Sequence, residues 1–392
     1  MANQSHIQFF QDSIIKTYKQ RSQNTISSVA NELKAISKFD MNGQNPHSPA
    51  VSEGTEFSYR MERYDVPFGN GGIFIWENIQ RILFSISKEE LFNQLDSISE
   101  YLKLSGVNHR DVNPGNLLFF EKEKVVKLID FYWATTKEIP VAIPSKRLNR
   151  FYGWDDQKAL AKIKSQIEEL YPAFLEDTKP IKEKIKRTGK PYYDGSSRGR
   201  TYHKLSIPCF DDVKFHKNTE TEFLDILNSL DMTIEEPKSI IDVGCASGYN
   251  TFNMMRQFRL SKAIVYEADP VVFEILNDIK KQFNLKELVI NGKISKDTLF
   301  EKVDLILCMN VHMWIYKQLS DGVDTVMKNL IESSKTLFFQ TAGSESSGRM
   351  RIKKFASKDD IYNYLINLTQ KKVTFIRSTK MHGLRHLFKI GD

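Results

Sequence analysis

One run constrains this chain more than any other: Ile240-Ile241-Asp242-Val243-Gly244-Cys245-Ala246-Ser247-Gly248. An apolar strand passes into small residues, and a helical pattern begins at Tyr249. Small side chains at such a turn let a ligand approach the backbone, and the following helix N-terminus adds a favourable field. The run opens a region where short apolar segments alternate with helical ones. Strands are predicted at Ser239 to Val243, Ala263 to Glu267, Leu288 to Ile290, Val303 to Met309, Thr336 to Gln340, Val373 to Arg377 and Leu387 to Ile390. Helical spacing occupies Tyr249 to Phe258, Val271 to Phe283, Tyr316 to Ser333 and Asp359 to Leu368. This alternation predicts an α/β domain with a mainly parallel sheet covered on both faces, its ligands at the carboxyl ends of the strands.

Nineteen residues past Gly248 the next strand closes on Glu267, followed by Ala268-Asp269-Pro270. A carboxylate at that tip can accept hydrogen bonds from both ribose hydroxyls of a nucleoside. On these residues the region from about Thr201 to the C-terminus resembles the class I S-adenosylmethionine-dependent methyltransferases. A dinucleotide site would need Gly-x-Gly-x-x-Gly, whereas the spacing here is Gly-x-Ala-x-Gly. The resemblance implies a Rossmann-like seven-stranded sheet, with Asp242, Gly244, Ala246 and Gly248 as the first cofactor motif and Glu267 as the second. The fourth strand and its exit then fall on Val303 to Asn310, with Asn310 beside the cofactor. His312, just past that strand, is a candidate general base; the competing reading is a polar loop histidine lining the pocket. Trp314 is expected to pack in the core, and Tyr202 and His203 to close over the site.

A different constellation stands earlier: Asn108-His109-Arg110-Asp111-Val112-Asn113-Pro114-Gly115-Asn116, then Leu128-Ile129-Asp130-Phe131-Tyr132. Phosphoryl transfer needs a carboxylate to orient the attacking hydroxyl and oxygen ligands to hold magnesium against the nucleotide phosphates. This spacing resembles the catalytic loop and metal-binding Asp-Phe-Gly of the protein-kinase-like superfamily, with Asn-Pro-Gly-Asn closer to kinases of small molecules and glycolipids. The resemblance implies an α+β minimal kinase-like domain over residues 1–175. Asp111 would be the catalytic base, Asn116 and Asp130 magnesium ligands, and ATP the nucleotide. Lys16 would contact its phosphates and pair with Glu32. His109 and Arg110 would brace the loop, Asp155 or Asp156 would hold it from below, and Met61-Glu62-Arg63-Tyr64 would form the hinge. Two departures keep an inactive variant open. The fifteen residues before Lys16 hold no glycine-rich loop, and Tyr132 replaces the last glycine of Asp-Phe-Gly.

Other segments give shorter readings. Ser13 to Lys16 is a predicted strand, Ser27 to Phe39 a helix, and Met41 to Thr55 a polar loop. Ser87 and Glu90 form a capping box opening a helix that Gly106 ends, and Val125 to Phe131 is a strand. Residues 176–200, rich in Lys, Gly, Pro and Ser, read as an exposed basic linker, part of it helical, before a methyltransferase domain at 201–392.

Composition narrows the function class. With 41% hydrophobic and 27% charged residues the chain is globular. No run reaches the roughly 18 apolar residues of a membrane span. The start Met-Ala-Asn-Gln-Ser-His has no leader pattern, and Cys209, Cys245 and Cys308 lack metal-type spacing, so a cytoplasmic protein with reduced thiols is expected. The two resemblances together resemble the bifunctional kinase–methyltransferases that end bacterial O-antigen chains by phosphorylating a terminal sugar and methylating that phosphate, here with the domains in reverse order. They imply S-adenosylmethionine and ATP with Mg2+ as cofactors and a small-molecule or glycan acceptor, which the net charge of +7 suits if it is anionic. A nucleic-acid methyltransferase is disfavoured, because the basic stretch has only Tyr192 and Tyr193 for stacking.

Overall fold

The computed structural model describes residues 5–9, 13–18, 23–55, 58–62, 66–70, 72–138, 152–188, 201–203, 205–213, 215–217, 220–230, 236–319, 322–342, 355–379 and 384–391. The chain divides into two compact units, Met1–Glu176 and Asp177–Asp392.

The first unit opens with strands β1 (Ser5–Phe9) and β2 (Ser13–Tyr18), helix α1 (Gln23–Asp40), and strands β3 (Val51–Thr55) and β4 (Ser58–Glu62). The strands form an antiparallel sheet in the order β1-β2-β4-β3. Alternation on β2 puts Ile14 and Lys16 on one face, both buried, where Ile14 joins Val29, Tyr59 and Met61 in a small apolar cluster. The polar loop predicted over Met41 to Thr55 ends in strand β3 at Val51–Thr55, and before it Asn45, His47 and Ser48 are buried. Backbone partners make this tolerable: the Asn45 amide donates to the Phe39 carbonyl, and His47 Nδ1 lies 2.7 Å from the Val126 carbonyl.

Short strands β5 (Val66–Pro67), β6 (Gly69–Asn70) and β7 (Ile73–Phe74) lead to helices α2 (Trp76–Ser85) and α3 (Lys88–Ser105). Ser87 Oγ accepts from the Glu90 amide, which is one half of the expected capping box, and Gly106 ends α3 at φ 65°. Leu91, Leu95, Ile98 and Leu102 form the buried stripe of α3. Each contributes about 1.5–3 kcal/mol of burial. A 3₁₀ turn at Pro114–Asn116 precedes the hairpin β8 (Leu117–Phe120) and β9 (Val125–Leu128). The predicted strand over 125–131 thus ends at Leu128, because Asp130 turns left-handed and Phe131–Trp133 coil into another 3₁₀ turn.

Helix α4 (Asp156–Thr188) crosses the division between the units. The first part of the expected linker is therefore helical. Thr178, Ile181 and Ile185 are buried along it, while Lys182 and Lys184 pair with Asp212 and Asp278. Spacing by three and four, which charge density hid, accounts for this. Residues 189–200 lie outside the described residues.

The second unit begins with the parallel pair β10 (Thr201–His203) and β11 (Phe215–Lys217) and helix α5 (Glu220–Ser229). The strands and helices of the main sheet follow: β12 (Ser239–Val243), α6 (Tyr249–Gln257), β13 (Lys262–Tyr266), α7 (Pro270–Gln282), β14 (Leu288–Asn291), β15 (Val303–Met309), α8 (His312–Leu319), α9 (Val323–Glu332), β16 (Ser334–Ala342), α10 (Lys358–Leu368), β17 (Val373–Thr379) and β18 (Arg385–Gly391). The strand order is β14-β13-β12-β15-β16-β18-β17, with β18 antiparallel to both neighbours and the other pairings parallel. The single helix expected over 316–333 is two helices, and α8 starts four residues earlier. Chain order reverses about β12, so the carboxyl ends of β12, β13 and β15 face a topological switch point.

Helix α10 starts with a full capping box between Ser357 and Asp360. Ser357→Ala should cost about 1 kcal/mol, read as a lower urea midpoint for the second unit with an unchanged slope.

Candidate functional site

In the first unit a buried ammonium gathers distant segments. Lys16 Nζ on β2 lies 3.0 Å from Glu32 Oε1 on α1 and 2.6 Å from Asp130 Oδ1, beyond β9. Glu32 is fully buried, and Tyr59 on β4 donates its hydroxyl to Glu32 Oε1 at 2.8 Å. Burial raises the Asp130 carboxyl, but the charge and hydrogen bond of Lys16 outweigh it and hold the group below its ordinary value. Asp130 is thus an anion at neutral pH.

Asp111 lies in the loop before the first 3₁₀ turn. Asn113 Nδ2 donates to Asp111 Oδ1 at 3.3 Å, and Asn116 Nδ2 to Oδ2 at 3.2 Å. Burial lifts the Asp111 carboxyl above its ordinary value, opposed by the charge of His109 and then raised further by Asp130. A raised carboxylate suits a group that takes up a proton. The Asn116 amide nitrogen faces Asp111, which leaves Oδ1 as the atom available to a cation. That oxygen and the Asp130 carboxylate form the hard donor set that suits magnesium. Among the described residues no group of three or more His, Cys, Asp or Glu side chains could hold a metal ion, so such an ion would need further ligands from phosphates or water.

The loop is held from behind. Asp156, at the start of α4, accepts from the amides of His109 at 2.7 Å and Arg110 at 2.8 Å. Asp155 accepts instead from Gln157 and Lys158. His109 Nε2 lies 2.9 Å from the Ile129 carbonyl, and its ring meets Phe131 edge-on at 4.6 Å. Arg110 (φ 67°) and Asp130 (φ 63°) adopt left-handed backbone, where a side chain costs roughly 1–2 kcal/mol, so the surrounding bonds must over-determine both. Tyr132, in place of glycine, packs on the apolar cluster of the small sheet. Of the expected hinge, Arg63 and Tyr64 lie outside the described residues, and Met61 is buried.

In the second unit the turn after β12 is left-handed at Gly244 (φ 64°), Ala246 (φ 49°) and Gly248 (φ 84°). A Cβ on Gly244 would stand 2.4 Å from Val311, and one on Gly248 2.6 Å from the Phe252 ring. The turn is therefore closed to larger side chains by the β15 exit on one side and by α6 on the other. Glu267, just past β13, accepts from the Ala246 amide at 2.9 Å and the Asp269 amide at 2.8 Å. Burial raises its carboxyl, and these backbone bonds oppose the rise. Glycine turn, Glu267 and Asn310 thus meet at the carboxyl ends of β12, β13 and β15. Bare backbone at Gly244 and Gly248 beside a carboxylate is a lining compatible with a nucleoside and its ribose diol.

Asp242 differs from its neighbours. It is buried within β12 and accepts the Thr251 hydroxyl at 2.6 Å, so it reaches the turn only by fixing α6. Burial pushes its carboxyl up to about 7. His312 requires a correction as a base. It opens α8 fully buried, with its ring 5.1 Å from Phe339, 5.6 Å from Tyr364 and 5.9 Å from Phe355. The helix begins at position 312 and turns the imidazole into the core, so it presents no base to an acceptor. Trp314, expected in the core, is 37% exposed beside Lys317. The side chains of Tyr202 and His203 lie outside the described residues. Sequence reasoning missed Tyr59, Thr251, Gln340 and Arg385. Gln340, which directly follows the apolar run Leu337-Phe338-Phe339, was the one visible signal.

The second unit's seven-stranded sheet is Rossmann-like and consistent with a methyltransferase fold, and the small α+β sheets of the first unit are consistent with a kinase-like domain. No protein-family model matches the chain. A stretch of 108 residues is 28% identical to an uncharacterized protein of Rickettsia prowazekii (strain Madrid E), covering 26% of this chain and 42% of that protein. The chain thus matches less than half the length of this curated relative. Among solved structures it is similar to the bifunctional kinase-methyltransferase WbdD, at 11% identity and a TM-score of 0.39 over 49% of this chain and 44% of that one. It is also similar to the N-terminal domain of EvdMO1 in the presence of SAH and D-fucose, at 11% identity and a TM-score of 0.38 over 55% and 96%. The methyltransferase domain of bacterial CtHen1-C gives 14% identity and 0.34 over 44% and 99%. These are distant likenesses of fold. No helix of the described residues is long and apolar enough to cross a membrane.

Two predictions follow from the buried carboxylates. Asp156→Ala strands two backbone donors and should cost about 2–4 kcal/mol of the first unit's stability, with Asp156→Asn intermediate in the same denaturant titration. Asp242 binds its proton more tightly folded than unfolded. Its contribution is therefore fully present below the unfolded value of 3.8 and is lost as pH rises to about 7. Asp242→Asn should remove that slope, so the stability difference between variant and wild type should grow in the variant's favour from pH 5 to pH 8.

Proposed function

We propose that the chain is a bifunctional enzyme, an S-adenosylmethionine-dependent methyltransferase in its second unit and a magnesium–ATP-dependent kinase in its first. Its acceptor is a hydroxylated molecule, with a glycan terminus that is phosphorylated and then methylated as the specific reading. The observation that carries the kinase half is Lys16 held between Glu32 and Asp130 while Asp111 is bracketed by two amides. The glycine turn closed against Val311 and Phe252, with Glu267 beside it, supports the methyltransferase half.

In the kinase half, Asp111 orients an acceptor hydroxyl and takes its proton as the oxygen forms its bond to the γ-phosphorus and the bond to the nucleotide's bridging oxygen breaks. Asn116 and Asp130 would hold magnesium, which supplies charge neutralisation on the phosphates. Lys16 would contact those phosphates, with Glu32 and Tyr59 fixing its position. In the methyltransferase half, S-adenosylmethionine supplies an electrophilic methyl carbon that leaves a neutral thioether behind. Glu267 would accept from the ribose hydroxyls, Gly244, Ala246 and Gly248 would admit the cofactor to the backbone, and Asn310 would lie beside it. Alignment then does most of the work. An acceptor that is already anionic needs no base, in keeping with the enclosed His312.

A second reading, a methyltransferase with an inactive kinase-like binding unit, is favoured by one observation, the tyrosine at position 132. Nucleic acid as acceptor is poorly supported, since Lys182, Lys184 and Lys186 on α4 are paired with carboxylates.

The test is ligand stabilisation of the wild type and of Asp130→Asn. S-adenosylmethionine and magnesium–ATP, each at about 100 times its dissociation constant, should each add about 2.7 kcal/mol to the unit that binds it. Only the ATP effect should disappear in the variant. Stabilisation by S-adenosylmethionine alone would favour the second reading, and stabilisation by neither would overturn both.

A further inference from the structure

The polar side chains at the carboxyl end of β15 and β16 form a directed chain. Arg385, at the start of β18, is buried, and its Nη1 donates to Asn310 Oδ1. Asn310 Nδ2 in turn donates to Gln340 Oε1, and the Asn310 backbone amide donates to the Gln340 carbonyl at 2.9 Å. A guanidinium has donors only, so the atom of Asn310 facing it is the oxygen. That choice forces the nitrogen of Asn310 toward Gln340, and hence the oxygen of Gln340 toward Asn310. The chain must therefore end on a donor. Gln340 is fully buried, and among the described residues its Nε2 has no hydrogen-bond partner.

An unmade donor in the interior costs roughly 1–3 kcal/mol, so an acceptor that completed it would be favoured by a similar amount. The completing atom has to be an acceptor, and the buried positive charge at the head of the chain favours one with negative charge. Its place follows from the fold. Asn310 is followed by Val311, whose side chain abuts Gly244 of the glycine turn. The open donor thus sits on the strand next to the residue that closes the turn.

We infer that Arg385, Asn310 and Gln340 form a receptor for an anionic oxygen, phosphate or carboxylate, beside the glycine turn of the second unit. The inference deepens the methyltransferase reading and rests on it for the identity of the neighbouring ligand. Two sources share the chemistry: an anionic group on the acceptor, and the carboxylate of the cofactor's own methionine moiety.

The test uses the full chain, wild type, Gln340→Leu and Arg385→Gln, at constant ionic strength. Three ligands are titrated calorimetrically: inorganic phosphate in the presence of S-adenosylhomocysteine, S-adenosylhomocysteine alone, and 5′-methylthioadenosine, which lacks the carboxylate. If the acceptor supplies the anion, both variants should bind phosphate at least roughly tenfold more weakly, as for the loss of one charge-assisted bond, with S-adenosylhomocysteine unchanged. If the cofactor supplies it, S-adenosylhomocysteine should weaken by a similar factor while methylthioadenosine binds all three proteins alike. Gln340→Leu removes the open donor and leaves the charge in place, so it keeps the test informative if Arg385→Gln fails to fold. Phosphate and S-adenosylhomocysteine affinities that are the same in Gln340→Leu as in wild type would overturn the inference. Phosphate binding that depends on Gln340 in a protein that binds neither nucleoside would uphold the receptor and sink the methyltransferase reading instead.

Discussion

A lysine ammonium drawn out of water has to be met by anions, and the first unit is organised around meeting one. Lys16 is answered by Glu32 from the helix after its own strand and by Asp130 from a segment 114 residues away. Breaking either contact would leave a buried charge short of its compensation, which is far costlier than losing an exposed pair. The requirement fixes α1 against the small sheet and fixes the left-handed turn at Asp130. Through His109 and Phe131 it also sets the loop that carries Asp111. Tyr59 brings a second strand, β4, into the arrangement by donating its hydroxyl to Glu32.

The second unit meets a different constraint. The central parallel strands are covered on both faces, so a ligand can reach the sheet at their carboxyl ends. There the chain must turn sharply beneath Val311 and Phe252, and the left-handed sequence Gly244, Ala246 and Gly248 is how it does so. Asp242 stabilises the turn indirectly, by its bond to Thr251. Glu267 does so directly, by its bond to the Ala246 amide. In the methyltransferase proposed above, the same carboxylate would also receive the ribose.

Much of this was legible in the sequence, for identifiable reasons. The strands of the second unit are short apolar runs between helical segments, a pattern set by burial on both faces, and the predicted 239–243 and 303–309 agree with the structure to the residue. Lys16, Glu32, Asp111, Asn116 and Asp130 drew attention because their types and intervals are unusual, although no local rule said that Lys16 would meet Glu32 and Asp130 or that Asn116 would meet Asp111. The failures have physical causes too. His312 was misread because a residue just past a strand can either face the ligand or start a helix, and only the packing of Phe339, Phe355 and Tyr364 decides which. The helix over 156–188 was missed apart from a helical part of the expected linker, because its lysines hid the spacing of Ile181 and Ile185. Gln340 and Arg385 carry no motif; their connection exists only once antiparallel pairing brings β18 against β16.

The tyrosine at position 132 has a mechanical consequence. A glycine there would give the backbone freedom to swing the Asp130–Phe131 pair outward, the kind of rearrangement on which many two-state loops rely. Tyr132 instead lodges against Ile14, Val29, Tyr59 and Met61. Turning the loop out would strip that partly buried ring from its apolar contacts, in addition to parting Asp130 from Lys16. Such a loop is a fixed jig and not a toggle: it holds its tools at one setting, and the timing of any work done there has to come from the arrival of what is worked on.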